Sequence, residues 1–305
     1  MIGGGLGPYA PGEYSDDTQM AVCIAEVAAT GADLTASDSI DHIAERFLEW
    51  GSTGASDVGI QTRHVLRAAR SAVGTPRARM TAAAAQMHRE TGRTAGNGAL
   101  MRTGIVGLAS LGDLDQTAAA ARAVAELTHA DPLAGDSCVL WSIGVAVAVA
   151  DGTFEGVRRG LDHLPTERRS MWAAWLDEAD GADPGRFPNN GFTVAALLSG
   201  HDTDTVAAIA GALLGARWGV SAVPAHWRRI VHGRPGLRSR DLARLGILTA
   251  RGGQSDEQGW PQAAHLEYGT PPRVGISHPA DAGVTLGTSN TVGAAPRQWR
   301  RATAC

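Results

Sequence analysis

At 305 residues the chain is long enough for one large domain, or two small ones, around a substantial core. Hydrophobic residues make up 44%, charged residues 19% and aromatics 5%, with 39 glycines, a balance that suits an Ala- and Gly-rich packed globule and excludes a disordered chain. All 27 basic residues are arginine, which removes lysine Schiff-base chemistry and the phosphate-loop lysine of Walker-type nucleotidases, and the formal charge of −4 gives no general attraction to nucleic acid or to an anionic membrane.

In chain order, no Lys or Arg precedes Arg46 and no apolar run opens the chain, so its start does not read as a signal peptide. Cys23, Cys138 and Cys305 lie far apart without CxxC spacing, so neither a zinc site nor a disulfide framework is expected, and a cytoplasmic location fits best. Met20, Ile24 and Val27 recur at helical spacing after Ser15. Ile40, Ile43, Ala44, Phe47 and Leu48 follow Ser37 and Asp38 and precede Gly51, the pattern of a capped amphipathic helix. Further helices are expected over 60–72, 77–91 and 115–129. Leu140, Ile143 and Val147 form a stripe inside the apolar run Val139 to Ala150, which Ser142 and Gly144 interrupt. That run is shorter than the roughly 20 residues a bilayer span needs and reads as a buried helix. Helices are also expected over 166–179, in the stripe Val206, Ile209 and Leu213 after Asp202, and over 222–232 and 239–250. Strand alternation is nearly absent and no fixed-period repeat stands out, so the fold class is all-α. From Arg251 onward Gly, Pro, Ser and Thr dominate, which divides the chain into a helical domain over 1–250 and an irregular tail over 251–305.

Two acidic clusters sit at helix starts: Ser15-Asp16-Asp17-Thr18 and Asp202-Thr203-Asp204-Thr205. Either alone reads as a cap, because Ser, Thr and Asp accept from free backbone N–H groups and acidic residues complement the positive helix end. Brought together and buried, the carboxylates would repel and need cations. Carboxylates and hydroxyls without Cys or clustered His are hard ligands that favour Mg²⁺, Mn²⁺ or Ca²⁺. The segment Arg93 to Arg102 places Gly96 and Gly98 on either side of Asn97 before a helical stretch, where backbone N–H groups can approach a phosphate, or where an ordinary Gly-rich turn lies. Asp57 stands before Ile60 at a probable helix start, where capping is the simpler reading.

In this order the segments resemble the ADP-ribosylglycohydrolase family. Ser15-Asp16-Asp17-Thr18-Gln19-Met20 is similar to its Thr/Ser-Asp-Asp-Thr-x-Met motif, Gly96-Asn97-Gly98 through Met101-Arg102 to its Gly-Asn-Gly-x-x-Met-Arg motif, and Asp202 to Thr205 to its Asp-Thr-Asp-Thr motif. The resemblance spans roughly the first four fifths of the chain, to Gly253, and implies a compact orthogonal multi-helix fold with a dinuclear site for two divalent cations, Mg²⁺ or Mn²⁺. By position, Ser15, Asp16, Asp17, Asp202, Asp204 and Thr205 would be metal ligands, with Asp204 bridging. Asp57 would perform acid–base work or water positioning, completing a catalytic set with Asp17 and Asp204. Gly96, Asn97, Gly98, Met101 and His129, the last in a Thr-His segment, would bind ADP-ribose. The implied reaction is hydrolysis of the bond between ADP-ribose and a protein side chain, or a small molecule carrying it, with no specific nucleic-acid or membrane partner.

The family carries a helix before its first Asp-Asp pair, with a Gly-Asp-Ala-x-Gly-like segment. Here 14 residues precede Ser15, so that helix is expected to be missing and activity to be impaired. The connection from Asn189-Asn190-Gly191 to Asp202 is shorter than in relatives, and His201 stands where a small residue is usual. A catalytically impaired ADP-ribose-binding protein, or a structural one like the lens crystallins that share the fold, is the alternative. His278 to Gly287 resembles a linker into a phosphatase-like domain, but no Cys is followed six positions later by Arg, so no phosphatase activity is expected.

Overall fold

Alternation of apolar and polar residues at helical period carries through to twelve α-helices in a computed structural model that describes residues 3, 8–53, 55, 57–181 and 203–255. They are α1 (Asp16–Ala28), α2 (Ser37–Ser52), α3 (Ile60–Ser71), α4 (Pro76–Thr91), α5 (Leu100–Thr103), α6 (Leu114–Glu126), α7 (Pro132–Asp151), α8 (Gly156–Arg159), α9 (Thr166–Gly181), α10 (Thr203–Trp218), α11 (Ala225–Ile230) and α12 (Ser239–Ala250). Tighter helical turns continue α5 over Gly104–Leu108 and α8 over Gly160–His163. Two short strands, β1 (His232–Gly233) and β2 (Leu237–Arg238), pair antiparallel, with His232 opposite Arg238 and Gly233 opposite Leu237. The all-α reading holds. The connection 191–202, His201, Asp202, Cys305 and most of the tail lie outside the described residues.

Local chemistry sets the helix ends. Thr75 accepts from the Ala78 amide and Pro76 opens α4 with a preset φ, while Gly92 closes it at φ 60°. Asp113 and Asp131 cap α6 and α7 by accepting from the Gln116 and Leu133 amides, each at 2.9 Å. Ser37 is no cap: α2 begins at Ser37 itself, and its hydroxyl accepts from Arg77 Nη1 at 2.9 Å, joining α2 to α4. Two helices are shorter than their periodicity suggests. α6 stops at Glu126 because the Thr128 carbonyl turns away to accept from Gln61 Nε2 at 3.0 Å. α11 begins after Pro224 and ends before β1 takes the backbone into its pairing with β2.

The core gathers around α7 and α1. α7 is apolar on every side, with Val139, Ile143 and Val147 buried, and it packs on α6, α8, α10, α5 and the Gly104–Leu108 turn. Its 20 residues have the length and composition of a bilayer span, yet 72% of the apolar stretch is buried within the fold, as a core helix would be. α1 buries Met20 and Ile24 against α2, α5, α10 and α12, and Phe47, Val65, Met80 and Ile209 close the same core. A buried carboxylate, Asp136, ties α7 to α6 and α9 by accepting from Arg122 Nη2 at 2.7 Å and Trp172 Nε1 at 3.2 Å and by pairing with Arg168. Burial pushes this carboxyl up, but the arginine hydrogen bonds outweigh it and hold it below the ordinary value.

Gly107 permits the closest approach to α7. A Cβ there would lie 2.3 Å from the Ser142 carbonyl oxygen and 3.0 Å from Val145 Cβ, and neither can withdraw without moving the helix. Gly107→Ala is therefore expected to destabilise the fold by about 2–3 kcal/mol, lowering the thermal midpoint by about 5–10 °C. An unchanged midpoint in calorimetry would contradict this packing.

Candidate active site

Ser15 stands at the N-cap of α1 with extended backbone, yet its hydroxyl makes no capping bond. It donates to Asp17 Oδ2 at 2.6 Å instead. The Thr205 hydroxyl, one turn into α10, also hydrogen-bonds Asp17. Both hydroxyls thus converge on one carboxylate, and the cap reading of the first cluster gives way to a site reading.

α10 brings Asp204 to α1. One carboxylate oxygen each from Asp16, Asp17 and Asp204 lies within 4.8 Å of the others. Asp16 and Asp17 are buried, 8% and 1% exposed, while Asp204 is exposed. Among the described residues no arginine or histidine forms an ion pair with any of the three. Asp17 Oδ1 is buried without a hydrogen-bond partner. Burial first, then the charges of Asp17, Asp57 and Asp204, push the Asp16 carboxyl up to about 7. Burial and the Asp204 charge push Asp17 up to about 6 against the opposing hydrogen bonds from Ser15 and Thr205. A hard divalent cation fits this donor set: three clustered carboxylates, an unused buried oxygen, and no side-chain cation competing for them. Asp202, the remaining expected ligand, lies outside the described residues.

Asp57 precedes α3, whose N-cap is Gly59, so it does not cap that helix. Its charge acts on Asp16, which places it in the field of the carboxylate cluster. One turn later α3 faces a different group. Gln61 Nε2 donates to the carbonyls of Thr94 and Thr128 at 3.2 and 3.0 Å, stapling the approach to Gly96 onto the loop after α6. A Cβ at Gly98 would meet Thr62 Oγ1 at 3.7 Å and His129 Nε2 at 3.4 Å; one at Gly96 would meet the same nitrogen at 3.5 Å. The Asn97 carbonyl accepts from the Met101 amide at 3.1 Å and so opens α5, and Met101 itself packs in the hydrophobic core. His129 is buried, and desolvation, then the nearby Arg102 charge, pulls it down to about 3, so the ring is neutral.

The site thus has two halves, a carboxylate cluster on α1 and α10 and a Gly-Asn-Gly turn backed by His129. α5 packs on both α1 and α10; Asp57, just before α3, acts on one half, and Gln61 with Thr62, in the first turn of α3, face the other. Gln61 and Arg102, which motif reading left without a role, tie the Gly-Asn-Gly segment to the Thr128-His129 segment. The signal for Arg102 was a lone charge inside the apolar stretch from Leu100 to Ala109. For Gln61 no local signal existed, because both of its partners are distant in sequence.

The family model described as ADP-ribosylglycohydrolase matches residues 1–199 and 193–257. An ADP-ribosyl-[dinitrogen reductase] glycohydrolase from Rhodospirillum rubrum is 27% identical over 247 residues, covering 74% of this chain and 76% of its own. An ADP-ribosylarginine hydrolase Tri1 from Serratia proteamaculans (strain 568) is 25% identical over 267 residues, and there the match spans 74% of this chain but 65% of the relative. A solved ADP-ribosylglycohydrolase-related protein complex superposes with a TM-score of 0.58 at 24% identity, covering 83% of this chain and 87% of that one, a likeness of fold.

In the metal-free protein Asp16 and Asp17 keep protons that the unfolded chain releases near 3.8. From there to about 7 the folded state binds more protons than the unfolded state, so stability declines as pH rises through that window and stays low above it. Mn²⁺ is expected to raise the thermal midpoint by about 5 °C at pH 8, and by under about 1 °C at pH 5, where protons hold the same oxygens. Asp17→Asn should stabilise the metal-free protein at pH 8 and abolish the Mn²⁺ response. Equal Mn²⁺ shifts at both pH values, or none at pH 8, would contradict the site.

Proposed function

The chain belongs to the ADP-ribosylglycohydrolase family, and from that premise we propose that it is a divalent-metal-dependent hydrolase that removes ADP-ribose from modified protein side chains. The observation that carries this reading is the carboxylate cluster, buried at Asp16 and Asp17 and joined by no ion-paired side chain among the described residues, on helices that pack against α5, which follows the Gly-Asn-Gly turn. ADP-ribosylarginine is the first substrate to test, because the Serratia proteamaculans relative bears it in its name and the Rhodospirillum rubrum one is named for a modified protein.

Asp16, Asp17 and Asp204 would hold two cations, Mg²⁺ or Mn²⁺, with Ser15, Thr205 and Asp202 completing the set. Bound there, the cations would supply Lewis acidity toward ribose hydroxyls and a water. The protein's own groups do the rest. The hydroxyls of Ser15 and Thr205 fix Asp17 so that Oδ1 faces the site. The turn at Gly96, Asn97 and Gly98 seats the ADP-ribosyl group against His129. Asp57 takes a proton from water as its oxygen attacks the anomeric carbon, the carbon–nitrogen bond breaks through an oxocarbenium-like transition state, and Asp57 passes that same proton to the leaving guanidine nitrogen.

Release of free ADP-ribose from an arginine-ADP-ribosylated protein should require Mg²⁺ or Mn²⁺ and stop with chelator. Asp204→Ala is expected to cut turnover by about 100-fold or more with helicity retained. Asp57→Asn is expected to lower kcat by about 100-fold with little change in KM. Release that persists in chelator, or an Asp204→Ala protein of ordinary activity, would sink the proposal.

A further inference from the structure

Among the described residues Arg102 is the largest side chain with no exposure at all, and no carboxylate there pairs with it. Burial pulls the guanidinium down to about 10, so it is still charged at neutral pH. A buried cation without an ion pair is costly even with the Asp16 charge nearby, and its bonds show what the cost serves. Nη1 donates to the Gly98 carbonyl at 3.1 Å and lies 3.6 Å from Met20 Sδ. Nη2 donates to Thr128 Oγ1 at 2.7 Å, and the guanidinium carbon stands 4.6 Å from the centroid of the Phe47 ring. One fork thus grips the Gly-Asn-Gly turn and the segment holding His129.

Arginine can only donate, so the Thr128 oxygen is the acceptor in that bond and keeps one hydrogen to give. Its other side-chain contact is His129 Nδ1, at 2.7 Å. Were Nδ1 protonated, Arg102 and His129 would both donate to Thr128, and the hydroxyl hydrogen would be buried with no acceptor, a loss of about 1–3 kcal/mol. The hydroxyl therefore donates to Nδ1, and a neutral imidazole whose Nδ1 accepts carries its hydrogen on Nε2. His129 Nε2 belongs to a residue that is 2% exposed. It lies against the turn at Gly96 and Gly98, the two positions where a Cβ would come within 3.5 Å of it.

We infer that Arg102 is a positioning residue that acts through Thr128 to fix His129 as the Nε2–H tautomer, whose donor meets an acceptor oxygen of the ADP-ribosyl group in the Gly96–Gly98 turn. The last clause rests on the proposed function; the tautomer does not. The opposite tautomer would turn a lone pair toward ligand oxygens and repel them. Methyl in place of the Thr128 hydroxyl would remove the relay while keeping the shape of the side chain.

The test is long-range proton–nitrogen NMR of the full chain carrying ¹⁵N-histidine, with His129 assigned by its loss in His129→Gln, together with calorimetric titration of ADP-ribose. The wild-type protein should show Nε2–H, with that signal moving on addition of ADP-ribose. Thr128→Val should give mixed tautomers and bind ADP-ribose about 10-fold more weakly, and Thr128→Ser should restore both. A merely structural Thr128 would not move the tautomer. An Nδ1–H wild type overturns the inference, and it does so without any variant having to fold. Thr128→Val that keeps the wild-type tautomer and affinity overturns it as well. A Thr128-dependent Nε2–H tautomer in a protein that takes up no ADP-ribose upholds the relay and defeats the ADP-ribosyl reading of the turn.

Discussion

The first turn of α1 places two carboxylates, Asp16 and Asp17, inside the protein, where among the described residues no side-chain cation forms an ion pair with either. Asp136 shows how the same chain treats a buried carboxylate whose work is to hold helices together: two arginines and a tryptophan saturate it, and its pKa falls. Asp17 receives two hydroxyls, both carboxylates feel the charge of Asp204, and their pKa values rise. Such an arrangement costs stability at neutral pH unless something outside the chain compensates it. The packing of α1 between α2, α5, α10 and α12 holds the charges where they are, so the fold maintains the repulsion rather than relaxing it.

The second half of the site follows from where α3 and α5 lie. Gln61 and Arg102 each bind a residue near Gly96–Gly98 and a residue of the Thr128-His129 segment, from opposite ends of the site. The loop after α6 is thereby drawn from its helix toward the Gly96–Gly98 turn. A neutral histidine, a buried arginine and a cluster of anions then occupy one small volume, each with a charge state set mainly by burial.

Much of this is visible in the sequence and some is not. Helices announce themselves through spacing at Ile40, Ile43 and Phe47 or Val206 and Ile209, and through caps at Thr75, Asp113 and Asp131, because both signals are local. The acidic clusters are visible as residues but ambiguous as chemistry, since Ser15 would cap α1 equally well; only the turn of its hydroxyl toward Asp17 decides the matter. The end of α6 and the roles of Gln61, Arg102 and Thr128 depend on partners distant in the chain, which periodicity does not encode. Asp57 looked like a cap, and Gly59 holds that position instead.

The central claim is that a divalent cation completes the carboxylates of α1 and α10. Crystals grown with Mn²⁺ and measured at the manganese absorption edge test it most directly. The account predicts anomalous density in contact with the carboxylates of Asp16, Asp17 and Asp204, including Asp17 Oδ1. Crystals in which those oxygens carry no anomalous density, or in which an arginine has moved in to pair with Asp16 or Asp17, would contradict it.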